Sequence, residues 1–112
     1  MNVNPPPSVD SLIGLRDALR EFAAARDWEQ YHLPKNLAMA LIVEAAELVE
    51  HFQWLTPQQS ADLDGSTRMA VGEEVADVLL YLIRLADVLE VDPIEAARRK
   101  MLKNAVKYPA SK

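Results

Sequence analysis

Proline stands in this chain where helices begin, and its placement leaves little room for anything but a helical fold. Thr56-Pro57-Gln58-Gln59 offers a threonine N-cap, proline at the first helical position and glutamine at the third, which is a capping-box pattern. Asp92-Pro93-Ile94-Glu95 repeats the cap, the proline and a polar third position. Pro34 suits the first turn of another helix, because an N–H there would have no intrahelical partner. The other prolines fall outside the helices. Pro5-Pro6-Pro7 makes an extended lead, and Pro109 stops the last helix by disfavouring helical geometry at Tyr108.

Between these marks the apolar positions follow helical spacing. Leu12, Leu15, Leu19, Phe22 and Ala23 recur at steps of three, four, three and one. Ser8 or Asp10 is therefore expected to cap a helix reaching about Asp27. A second helix is expected from Pro34 to about Trp54 and a short one after Thr56. A long helix is expected from about Thr67 to Glu90, and a last one from Asp92 to about Lys107. No stretch shows the regular period-two alternation of a strand. The expected fold class is all-α, a bundle of four main helices with one extra short helix. It forms a single domain over residues 1–112, with an extended lead at 1–7 and a C-terminal tail at 108–112.

Half of the 112 residues are hydrophobic, the formal net charge is −5, and cysteine is absent. This composition argues against disorder and excludes a disulfide scaffold or a thiolate metal site. The acidic balance argues against a nucleic-acid partner. The longest apolar run, Leu37–Val43, is far short of the ~20 residues of a membrane span, so no membrane partner is expected. The first residues lack the basic and apolar regions of a signal peptide, so a cytoplasmic location is expected. Leu37–Val43 is apolar all round and Val78–Ile83 nearly so. A helix apolar on every side is buried on every side, and one small bundle seldom encloses two such segments. A homo-oligomer packed across a two-fold axis, a dimer or a dimer-of-dimers tetramer, is the expected working unit.

Most acidic residues lie on polar faces, where solvation accounts for them. Two pairs do not. Glu44 and Glu47 follow directly on Leu37–Val43, and Glu74 and Asp77 lead directly into Val78–Ile83. Each pair is spaced i, i+3, which puts both carboxylates on one helix face. No lysine or arginine lies between Lys35 and Arg68 to neutralise the first pair locally. Four carboxylates beside buried helices would repel one another and lose hydration. Protonation is one remedy, and a hard cation is a better one. Mg²⁺ takes oxygen ligands from a few carboxylates and keeps positions for water and substrate phosphate. A di-iron bundle would need Glu-x-x-His on two helices, and only Glu29–His32 fits, in a connection. No phosphate-cradling glycine motif occurs.

Trp28 and Trp54 lie just before and at the end of the expected second helix. Packing is the ordinary role of a lone tryptophan, and stacking on a base, worth ~1–3 kcal/mol, is the functional alternative. His32 is either a surface or cap residue or a hydrogen-bonding group at a base edge. Lys100, Asn104 and Tyr108 recur at i, i+4, i+8 along the last helix. Cations there complement the helix dipole, and such a stripe also suits phosphates.

The run from Arg26 to His32 (R-D-W-E-Q-Y-H), Pro34-Lys35-Asn36-Leu37, Glu44-Ala45-Ala46-Glu47-Leu48 and His51-Phe52-Gln53-Trp54 resembles the dCTP pyrophosphatases. These are a branch of the MazG-like all-α nucleoside triphosphate pyrophosphohydrolases. Glu73-Glu74-Val75-Ala76-Asp77, Lys100-Met101, Asn104 and Lys107-Tyr108-Pro109 extend the resemblance over about Phe22 to Pro109. It implies that Glu44, Glu47, Glu74 and Asp77 hold Mg²⁺ and carry catalysis. One of the glutamates, taken here as Glu47, is expected to orient or deprotonate the attacking water. The resemblance also implies a nucleotide site that includes Trp28, His32, Asn36, Trp54, Lys100, Asn104 and Tyr108, the last three contributed by a neighbouring subunit. The implied reaction converts a deoxynucleoside triphosphate, dCTP or a 5-modified dCTP, to the monophosphate and pyrophosphate. The same chemistry on dUTP or a damaged purine triphosphate is a second reading, and a non-catalytic helical dimerisation module is a third. Two features depart from the family: Ala45-Ala46 stands where glycine is frequent, and the Leu55–Arg68 connection is shorter than in animal members.

Overall fold

Capping side chains set the start of every α-helix but the second, which proline opens instead. A computed structural model describes residues 9–111. Helix α1 spans Leu12–Ala25, and its cap is Ser11, whose Oγ accepts from the Gly14 N–H at 3.0 Å. The expected cap Asp10 lies outside the helix, while Ser8 and the lead at 1–7 lie outside the described residues. After one turn of 3-10 helix at Glu29–Tyr31, α2 runs over Pro34–Glu50 with Pro34 in its first turn. Thr56 begins the short α3, Pro57–Ser60, with a complete capping box. The Gln59 N–H donates to Thr56 Oγ1 at 3.1 Å and the Thr56 N–H donates to Gln59 Oε1 at 2.9 Å. Helix α4 covers Gly65–Val88, and Asp64 caps it by accepting from the Thr67 N–H at 2.8 Å. Helix α5, Pro93–Lys107, is capped by Asp92, which accepts from the N–H groups of Ile94 and Glu95. The described residues contain no strand, as the sequence predicts.

Four boundaries differ from expectation. Helix α1 ends at Ala25 rather than Asp27, and α4 ends at Val88 rather than Glu90. Each closes in a Schellman motif. Asp27 (φ 55°) and Glu90 (φ 56°) take the left-handed conformation, and the next N–H reaches back to close the turn. Those bonds run from Trp28 to the Ala23 carbonyl at 2.9 Å and from Val91 to the Ala86 carbonyl at 2.8 Å. Glycine or asparagine usually marks such ends, and neither stands here. Helix α2 ends at Glu50, four residues short of Trp54. Its last turn tightens as His51 bonds back only three residues, to the Leu48 carbonyl. Helix α4 starts two residues before Thr67, at Gly65.

Helix α4, 24 residues long, is the spine: α2 makes the most extensive pairing along it and α1 the next. Ala23 of α1, Leu37 of α2 and Ile83 of α4 form the sealed apolar core. Helix α5 has no extensive pairing with the rest, and the molecule measures 53 × 38 × 27 Å. The expectation that Leu37–Val43 is buried on every side does not hold within one chain, where Ile42 remains 67% exposed beside exposed Met39 and Val43. No helix among the described residues is long and apolar enough to cross a membrane.

Candidate functional site

The pairing of α2 with α4 brings the two acidic pairs together. Glu44, Glu74 and Asp77 each offer an oxygen within 4.8 Å of the other two. Glu47, one turn beyond Glu44, adjoins this trio without joining its tightest grouping, and its charge acts on both Glu44 and Glu74. Among the described residues no ion pair involves any of the four. Glu44 Oε2 and Glu74 Oε2 are both sealed from solvent and have no hydrogen-bond partner. Burial, then the adjoining Glu47 carboxylate, then the charges of Asp77 and Glu74 push the Glu44 carboxyl up to about 7. Burial and Glu47 likewise raise Glu74, and the charge of nearby His51 opposes them. Buried polar atoms without partners are rare and costly. Two orphaned oxygens facing one cluster therefore fit a cation, and an all-carboxylate donor set fits a hard one.

The other predicted positions are arranged less tightly. Trp28 is exposed, with its ring edge-on to Phe22 at 5.6 Å and to His32 at 6.2 Å. Trp54 is 86% exposed and makes no ring contact with Trp28 among the described residues. The chain therefore does not bring its two tryptophans together as facing walls. Asn36 donates from Nδ2 to the Tyr31 carbonyl at 3.2 Å, which braces the 3-10 turn on α2. The side chains of Lys100, Asn104 and Tyr108 make no hydrogen bond or ion pair among the described residues; Lys107 Nζ lies over the Tyr108 ring. They ride on α5, away from the extensive helix pairings.

Sequence reasoning missed a second polar group. Arg84, 9% exposed, donates from Nε to His32 Nδ1 at 2.9 Å and lies 3.4 Å from Asp87. Asp87 in turn accepts two bonds from Arg20, at 2.6 and 2.8 Å. The available signal was a charged i, i+3 pair, Arg84 and Asp87, in the otherwise apolar C-terminal part of α4.

An all-helical protein with an oxygen-donor cluster able to hold a metal ion is the class that this fold and site define. The MazG-like family model matches residues 39–112, and the chain belongs to that family. A human protein named dCTP pyrophosphatase 1 is 43% identical over 109 residues, which cover 96% of this chain and 62% of the human one. The mouse protein of that name is 41% identical over 108 residues, again 62% of its length. The chain thus spans less than two thirds of these curated relatives. A crystal structure of a pyrophosphatase from Archaeoglobus fulgidus DSM 4304 matches with a TM-score of 0.84 and 48% identity. That match covers 88% of this chain and 93% of the archaeal one.

Proposed function

We propose that the protein is a magnesium-dependent nucleoside triphosphate pyrophosphohydrolase that converts dCTP, or a 5-modified dCTP, and water to the monophosphate and pyrophosphate. The observation that carries the reading is the pair of orphaned, sealed oxygens of Glu44 and Glu74 in a carboxylate cluster. The choice of substrate is supported by the relatives named dCTP pyrophosphatase 1. Glu44, Glu74 and Asp77 would hold the cation. When bound, Mg²⁺ supplies charge neutralisation to the phosphate oxygens. Glu47, beside the trio, orients the attacking water and accepts its proton. Trp28 stacks on the base, and His32 meets its edge. Asn36 supports both by holding the 3-10 turn in place. A cytoplasmic location, where nucleotide pools are held, belongs to the same reading.

The working unit is a homo-oligomer, and the exposed apolar residues of three helices support this. They are Ile42 on α2, Leu79 and Leu82 on α4, and Met101, Leu102 and Val106 on α5. The chain exposes 9099 Å², against roughly 6,200 Å² for a compact monomer of its mass. The excess is on the scale of an obligate interface. In the assembly α5 of one copy brings Lys100, Asn104 and Tyr108 to the site of another, and Trp54 gains its cover there.

The test is a panel of natural and modified deoxynucleoside triphosphates with Mg²⁺, read as pyrophosphate release, with light scattering for mass. Fastest turnover of cytosine nucleotides is expected, and Glu47→Gln is expected to lower turnover by ~10²–10⁴-fold while metal binding persists. Turnover confined to dUTP or a damaged purine would reassign the substrate. No turnover of any nucleotide would leave a helical dimerisation module.

A further inference from the structure

The group Arg20–Asp87–Arg84–His32 joins α1, α4 and the 3-10 turn, and none of it belongs to the carboxylate cluster. Its order follows from its chemistry. Arg20 grips both oxygens of Asp87, through Nε at 2.8 Å and Nη2 at 2.6 Å. Asp87, one turn along α4, faces Arg84 Nη1 at 3.4 Å. Arg84 then donates from Nε to His32 Nδ1 at 2.9 Å. A guanidinium has only donors and stays charged, so the nitrogen that accepts from it carries no proton. The hydrogen of the neutral imidazole therefore sits on Nε2, on the side of the ring away from Arg84. Burial, and then the charge of Arg84, also hold His32 below its usual value, against the pull of Glu29. The ring stands edge-on to Trp28, 6.2 Å between centroids.

We infer that Arg84 is a positioning residue: braced by Asp87 and Arg20, it locks His32 as a neutral Nε2–H donor beside Trp28, so that the site selects a base presenting acceptors at that edge. Cytosine does so at N3 and O2. Thymine and uracil keep O2 but carry a hydrogen on N3, so a donor placed at N3 meets a hydrogen there instead of a lone pair. The selection rests on the nucleotide reading above, whereas the lock does not.

Two measurements test the inference separately. The lock is read by two-bond ¹H–¹⁵N correlation on the intact protein labelled at histidine. His32→Gln assigns the signals and His51 serves as internal reference. The expected pattern is a bare Nδ1 and a protonated Nε2 for His32 at neutral pH, becoming a tautomer mixture in Arg84→Met. Arg84→Lys, which keeps a cationic donor, is expected to restore part of the wild-type pattern. A proton on Nδ1, or averaged tautomers, in the wild-type protein overturns the lock without any variant. Selection is read from dCTP and dTTP kinetics of Arg84→Met. KM for dCTP is expected to rise roughly three- to tenfold, more than kcat falls, as for one lost hydrogen bond. The preference for dCTP over dTTP narrows by a similar factor. Equal losses on both nucleotides, or none, overturn the selection. A wild-type protein that turns over no nucleotide overturns the functional reading, and base selection with it, while the spectrum still decides the lock.

Discussion

The carboxylate cluster has a pH dependence that reverses when a cation is added. The Glu44 carboxyl stands at about 7 in the folded chain, against ~4.3 for an unperturbed glutamate. The folded value is the higher one. The stability it contributes is therefore fully present below the unfolded value and is lost as pH rises through about 7. Cation binding has the opposite requirement, because the ligand must be deprotonated. With an apparent value of about 7, roughly one molecule in eleven is ready to bind at pH 6 and roughly ten in eleven at pH 8. Apparent affinity for Mg²⁺ should therefore rise about tenfold across that interval and level off above it. The assay is calorimetric titration of the metal-free protein with magnesium at pH 6, 7 and 8 and constant ionic strength, with thermal melts in parallel. Glu44→Gln is the control, since it keeps the shape of the side chain and cannot titrate; contributions common to both proteins cancel in the difference. Metal-free wild type should lose melting temperature relative to this variant between pH 6 and 8, and magnesium should restore it. An affinity flat across the interval, or a wild-type-to-variant difference that does not move with pH, would refute the reasoning.

Two further perturbations probe the frame around the site. Leu37→Ala opens a cavity where α2 meets the core and should cost ~2–5 kcal/mol, a fall of roughly 10–20 °C in melting temperature measured by circular dichroism. Asp87→Asn should cost ~1–2 kcal/mol at neutral pH in urea unfolding, the low end being set by the half-exposed Arg20 partner. Hydrogen bonding from Arg20, against burial, holds the Asp87 carboxyl below its usual value. Its contribution is therefore present above the ordinary aspartate value and vanishes as pH falls through the lowered one, where variant and wild type should converge.

Helix starts were legible in the sequence because they are written in side chains. Thr56, Asp92 and Pro34 act as their types and spacing predict. Helix ends were less legible, because Asp27 and Glu90 close their helices by backbone conformation alone, in residues that carry no end signal. Gly65 and Ser66 disguise the start of α4, being poor helix formers that Asp64 nonetheless draws into the first turn. The i, i+3 spacing showed which carboxylates share a face, and only the pairing of α2 on α4 shows which oxygens lose both water and partners. Arg20 and His32 stand 67 and 52 residues from their partners, separations that no local pattern spans.

A protomer that seals only Ala23, Leu37 and Ile83 as apolar core among its described residues has little of its own to hold it folded. If its open helix faces are closed by another copy, folding and association become one reaction. Melting temperature then rises with protein concentration, and dilution alone unfolds the chain. The amount of protein a cell makes would set the active fraction more steeply than in proportion. Substitutions at Ile42, Leu82 or Met101, surface positions in one chain, would behave like core substitutions.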